Sequence, residues 1–133
     1  MRDRIAVALC CLGLVVLVGC GKGGDVARYD VSGTVTYDGN PLPAGTILFQ
    51  PAPGNTGPGG TARIESGKYN TATGGKSPTG GPHIAVITGF DGKTDLAKEM
   101  PDGAILFSDY REDVDLPKEA TTKDFNVPAK GKP

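Results

Sequence analysis

The chain has 133 residues, 21 of them Gly and 11 Pro, with 6% aromatic residues, no Trp and a net charge of −1. That length holds one compact domain, and charges of interspersed sign exclude the basic face that nucleic acid needs, so no nucleic-acid partner is expected. Gly and Pro at this density argue against a helical bundle and point to short strands joined by many turns.

Two Arg within Met1 to Arg4 precede an unbroken apolar run from Ile5 to Val18, and Gly19-Cys20 follows. A positive start, an apolar stretch and a small-residue cleavage site make residues 1–19 an export signal. As a helix the apolar run is about 21 Å long at about 1.5 Å per residue, short of the roughly 30 Å hydrocarbon core, which disfavours a permanent span. Leu17-Val18-Gly19-Cys20 resembles the lipobox of bacterial lipoproteins at all four positions. The resemblance implies cleavage between Gly19 and Cys20, a diacylglycerol thioether on Cys20 and acylation of the new N-terminus. It places the protein, held by lipid, on the extracytoplasmic side of a bacterial cell membrane or outer membrane. Cys10 and Cys11 leave with such a leader, so the one remaining thiol is accounted for and no disulfide is expected. Several acyl chains give lasting residence in a bilayer, where one gives only marginal binding. Residues 20–29 then read as the lipidated Cys and a flexible polar tether.

The rest divides into strands and turns. Residues 29–37 alternate, with Tyr29, Val31, Gly33, Val35 and Tyr37 on one side and Asp30, Ser32, Thr34 and Thr36 on the other, and this period of two with β-branched residues reads as a half-buried strand. Asp38-Gly39-Asn40-Pro41 supplies a turn, and a second strand covers 45–50. The segment 51–60 is too rich in Gly and Pro to bury anything and reads as an exposed loop. Residues 61–65 and 68–73 form a hairpin around Ser66-Gly67, and 74–82 is a second flexible loop. The most apolar strand, 83–88, is expected to be central. Asp91 to Gly103 is polar, with one helical turn near Asp95 to Met100, too short to stand alone. Strands at 105–110 and 122–127 complete a set of seven, and 128–133 is a frayed tail. The core is expected from Val31, Val35, Ile47, Phe49, Ile64, Tyr69, Ile84, Val86, Ile105, Phe107, Phe125 and Val127. Strand spacing without helical periodicity favours an all-β, antiparallel, Ig-like β-sandwich spanning 30–127.

Gly33, Val35, Gly39, Pro41, Leu42, Gly45, Ile47, Phe49 and Pro51 look like the opening pattern of the carboxypeptidase regulatory-like, transthyretin-like domain. Gly67-Lys68-Tyr69 resembles that family's start of a middle strand, and Gly81 to Val86 its glycine-led approach to an apolar strand. The resemblance covers about residues 30 to 127. It implies a seven-stranded prealbumin-like sandwich and, in small bacterial lipoproteins of this layout, no established catalytic activity.

Chemistry-bearing residues are few. His83 is the only His, and a Zn site needs three or four ligands, so it is expected to hydrogen-bond locally at a strand edge. No nucleophile-elbow pattern surrounds Ser32, Ser66, Ser77 or Ser108. Gly74-Gly75-Lys76-Ser77 ends like a phosphate loop but lacks its first Gly and runs into Pro78. The chain is therefore expected to be non-enzymatic and free of cofactors. It would be a binding or structural module held to the membrane through lipid on Cys20, meeting an extracytoplasmic protein or glycan. The alternative is a Ca²⁺- or carbohydrate-binding module built on acidic loops 91–102 and 112–115. Asp91, Asp95, Asp113 and Asp115 would be the metal ligands, with Asp102 and Glu112 nearby, and Tyr110 would be the stacking surface. Against it stands a solvated surface with cationic partners at Lys93, Lys98 and Arg111.

Overall fold

The computed structural model describes residues 26–129. The expected export signal, Cys20 and the expected tether as far as Asp25 lie outside the described residues, as does the end of the tail. Ten strand segments form one sheet: β1 (Val31–Tyr37), β2 (Asn40–Pro41), β3 (Ala44–Pro51), β4 (Gly60–Glu65), β5 (Lys68–Asn70), β6 (Gly75–Lys76), β7 (Gly81–Phe90), β8 (Ile105–Leu116), β9 (Thr121–Thr122) and β10 (Phe125–Val127). Hydrogen bonds run along the path β10-β1-β5-β4-β3-β7-β8. Pairing is antiparallel except where β9 and β10 run parallel to β1. A helical turn, α1 (Thr71–Gly74), and a 3-10 turn, Leu96–Lys98, are the only helical pieces among the described residues. The all-β expectation holds.

Local chemistry sets the hairpins. Asp38-Gly39 joins β1 to β2 and Ser66-Gly67 joins β4 to β5, each with positive φ at both central residues. That is the conformation in which a two-residue loop matches the twist of its strands, and Gly takes the second position at no steric cost.

The sheet curls until its ends meet. Tyr37 of β1 stacks on Phe107 of β8 with ring centroids 5.0 Å apart, and Lys123, between β9 and β10, lies 3.8 Å from Glu112 of β8. Inside the curl Phe49, Tyr69 and Phe125 form a triangle with centroids 6.1 to 6.4 Å apart. Val31, Val35, Leu42, Ile47, Ile64 and Ile87 pack around it, as expected for most of these positions.

Two strands depart from the expected parity. In β7 the inward residues are His83, Ala85, Ile87 and Gly89, so Ile84 and Val86 lie half-buried on the outer face. The register explains it: Phe49 sits opposite Ala85, while a side chain on Gly89 would strike the Phe107 ring and come within 2.8 Å of Leu42 Cδ1. At these two positions the space is filled by Phe49, Phe107 and Leu42, and β7 supplies the small residues Ala85 and Gly89. In β8 a bulge between the Ile87–Tyr110 and Gly89–Phe107 pairs, with Asp109 at φ 61°, inserts an extra residue. It lets Phe107 and Tyr110 both face inward, and a second irregularity, between the Gly89–Phe107 and Phe90–Ile105 pairs, leaves Ile105, an expected core residue, 64% exposed.

The Gly/Pro loops are also more ordered than expected. β4 begins at Gly60, β6 lies within the second loop, and Pro78 and Thr79 are buried. The loops grip each other: Thr79 donates to Pro58 O through both its N–H and its hydroxyl. Beside them runs a directed chain of hydrogen bonds. Val31 N–H donates to the Thr71 hydroxyl at 2.9 Å, Thr71 to Ser77 Oγ at 3.0 Å, and Ser77 to Asp30 Oδ1. Thr71 is 1% exposed, so no water can replace it.

Thr71→Val keeps the shape and orphans Val31 N–H, so urea unfolding should show a loss of about 1–3 kcal/mol. Gly89→Ala overpacks the contact with Phe107 and should cost about 1–3 kcal/mol in the same measurement.

Candidate functional site

β7 and β8 run from one pole of the molecule to the other, and this separates the acidic clusters. Asp91 follows the last residue of β7 at one pole, whereas Asp115 pairs with Pro82 and Asp113 with Ile84 near the opposite pole. At about 3.3 Å per residue the two groups are more than about 20 Å apart, so the structure does not bring Asp91, Asp95, Asp113 and Asp115 together. The segment 112–115 is not a loop, because β8 continues to Leu116. Asp113 and Asp115 point outward while Val114 and Leu116 point in. That alternation was readable in the sequence. Among the described residues no group of three or more His, Asp or Glu is placed to hold a metal ion.

The 91–104 loop is instead a hairpin extension stitched by its own backbone. Asp91 Oδ1 accepts from Lys93 N–H at 2.8 Å and Ala104 N–H at 3.0 Å, and Gly92 N–H donates to Asp102 O. Asp95 caps the 3-10 turn and pairs with Lys98 at 3.2 Å, and Asp95 and Met100 exchange both backbone bonds. Asp102 pairs with Arg63 of β4. These carboxylates are committed to loop closure and ion pairs, and Leu96 at the tip is 78% exposed.

Tyr110 faces inward, packs on the core and donates to Glu112 Oε2 at 3.3 Å. Burial, then the Glu112 charge and that hydrogen bond, push its hydroxyl above the usual phenol range. It is half-buried and lies within β8 rather than at a strand end. Tyr69 is pushed up more strongly, by burial and then by Asp124, and donates to Lys123 O, which pins the chain between β9 and β10 over β5.

His83 is buried in the sheet rather than at its edge, at 1% exposure. Its Nδ1 lies 2.9 Å from Gly81 O, and because a carbonyl only accepts, Nδ1 carries the proton. Nε2 is buried without a partner among the described residues. The local hydrogen bond matches expectation, and burial closes this imidazole to any substrate in solvent.

An open groove of about 830 Å³ crosses β1, β5 and β4. Its walls include Ser32, Thr34, Arg63, Glu65, Lys68 and Asp124, a polar lining with both signs of charge. Asp124 Oδ1 accepts from Thr34 N–H at 2.8 Å, which fixes that wall. Sequence reasoning missed this groove because its residues come from three separated strands and share no motif. No helix among the described residues is long and apolar enough to cross a membrane. No family model, curated protein or solved structure matches this chain.

In Glu112→Gln the anionic acceptor beside Tyr110 becomes neutral. The Tyr110 phenol should then titrate at lower pH than in the wild type, read from tyrosinate absorbance with Tyr110→Phe identifying the transition.

Proposed function

We propose that this chain is a lipid-anchored, extracytoplasmic, non-enzymatic envelope module that presents a small β-sandwich at a membrane surface through Cys20. The observation that carries the reading is Leu17-Val18-Gly19-Cys20 at the end of a fourteen-residue apolar run, with only a short polar stretch before the domain begins. The order of parts fits an anchor, a tether and a cargo. In support, the residues behind the resemblance to carboxypeptidase regulatory-like domains hold packing positions. Leu42, Ile47 and Phe49 are fully buried, and a side chain on Gly33 would collide with Lys123 O. In this reading the curled sheet is the seven-stranded prealbumin-like sandwich of that family, with β2, β6 and β9 as short additions. The polar groove across β1, β5 and β4 is the surface offered to an extracytoplasmic partner, since hydroxyls and paired charges favour a polar ligand such as a glycan or a protein loop.

Metabolic labelling with radioactive palmitate tests the anchor. The wild-type chain should take up label and Cys20→Ala should take up none. A wild type without label, or equal label in both, overturns the reading.

A further inference from the structure

We propose that the pole formed by residues 52–59, 77–80 and 117–120 is the face turned towards the lipid surface, and that the 91–104 hairpin extension is held away from it. The inference rests on the anchoring proposed above and adds an orientation to it. The N-terminal stretch does not leave the domain freely. Arg28 donates to Ser77 O at 2.6 Å and Gly59 O at 3.2 Å, one carbonyl from each Gly/Pro loop, and Tyr29 N–H donates to Pro78 O at 2.9 Å. The tether is thus tied to this pole before β1 begins. Residues 117–120 belong to the same pole, because a side chain on Gly80 would lie 2.7 Å from Lys118 Cγ.

Lengths decide what the tether allows. From Cys20 to Arg28 the chain spans at most about 29 Å when fully extended, at about 3.3–3.6 Å per residue. Gly60, next to the Arg28 acceptor Gly59, is in register with Phe49 and Ala85, so about 17 Å of strand, at about 3.3 Å per residue, separates this level from Phe90 at the other pole. Inverting the domain so that Leu96 touched the bilayer would make the tether spend more than half of its reach running back along the domain, whereas at this pole it leaves directly towards the surface. Lys118 is followed directly by Glu119, so charge adds little, and the tie through Arg28 and Tyr29 supplies the bias.

The test uses the full chain, matured in a bacterial host and reconstituted into phosphatidylethanolamine and phosphatidylglycerol vesicles containing a nickel-chelating headgroup lipid. Thr56→Cys and Leu96→Cys, both exposed positions at opposite poles, each receive a nitroxide, and flotation with the vesicles is scored in parallel. Relaxation enhancement by the surface nickel should be at least threefold greater at position 56 than at 96. A flexible Gly/Ser insertion of about 20 residues between Gly24 and Asp25 should bring the ratio towards one. Protein that floats with equal or reversed enhancement overturns the orientation and leaves the anchor standing. Failure to float removes the anchor and the orientation with it.

Discussion

One constraint governs this fold: the sheet has an apolar face and, among the described residues, no helical layer to cover it. A sheet that must bury one face without help has to bury it against itself. The curl achieves this by bringing β8 back towards β1, where Tyr37 stacks on Phe107, while Phe49, Tyr69 and Phe125 fill the interior. The bulge at Asp109 belongs to the same solution. It turns the strand so that Phe107 reaches Tyr37 on one side of the irregularity while Tyr110, Val114 and Leu116 stay on the core face on the other.

The Gly and Pro content follows from that closure. Gly33 lies where a Cβ would meet Lys123 O, and Gly75 where one would meet Thr61 O, so backbones approach without side chains between them. Such glycines are packing residues, and the loops 51–60 and 74–82 are bound to each other and to Arg28. Composition alone suggests flexibility here, because it counts residue types and is blind to which backbones meet.

What was legible in the sequence was local. Alternation located β1, an apolar run before Pro51 located β3, the Asp38-Gly39 and Ser66-Gly67 pairs located two hairpins, and Asp95 marked the 3-10 turn. What was not legible depended on partners distant in sequence. Ile84 and Val86 outrank Ala85 and Gly89 in apolarity, yet the space inside β7 is already taken by Phe49, Leu42 and Phe107, so the small residues face in. Ile105 departs from expectation because the irregularity between the Gly89–Phe107 and Phe90–Ile105 pairs resets parity without a sequence mark as strong as a turn. The acidic residues seemed to share one end of the molecule because 112–115 reads as a loop after Tyr110. Period-two alternation of Val114 and Leu116 with Asp113 and Asp115 carries the strand on and moves those carboxylates to the other pole. The groove across β1, β5 and β4 needed three strands in register before it existed at all.

Under the proposed anchoring, the sheet's open end bears on life at a surface. β8 ends the hydrogen-bonded path and is the longest strand, the kind of edge that templates pairing with another chain. Confinement by an anchor raises local concentration and with it the risk of edge-to-edge association. β8 answers with Arg111, Asp113 and Asp115 on its outer face, an Arg111–Asp109 pair at 3.2 Å and a bulge that breaks its regular ladder. Lys123 reaching Glu112 adds a charged contact from the other end of the sheet. The acidic residues of 109–115 thus have a physical reason to be there without any metal: charge on an edge strand opposes its pairing with another chain, and the proposed anchor, by crowding copies in two dimensions, would make that opposition matter most.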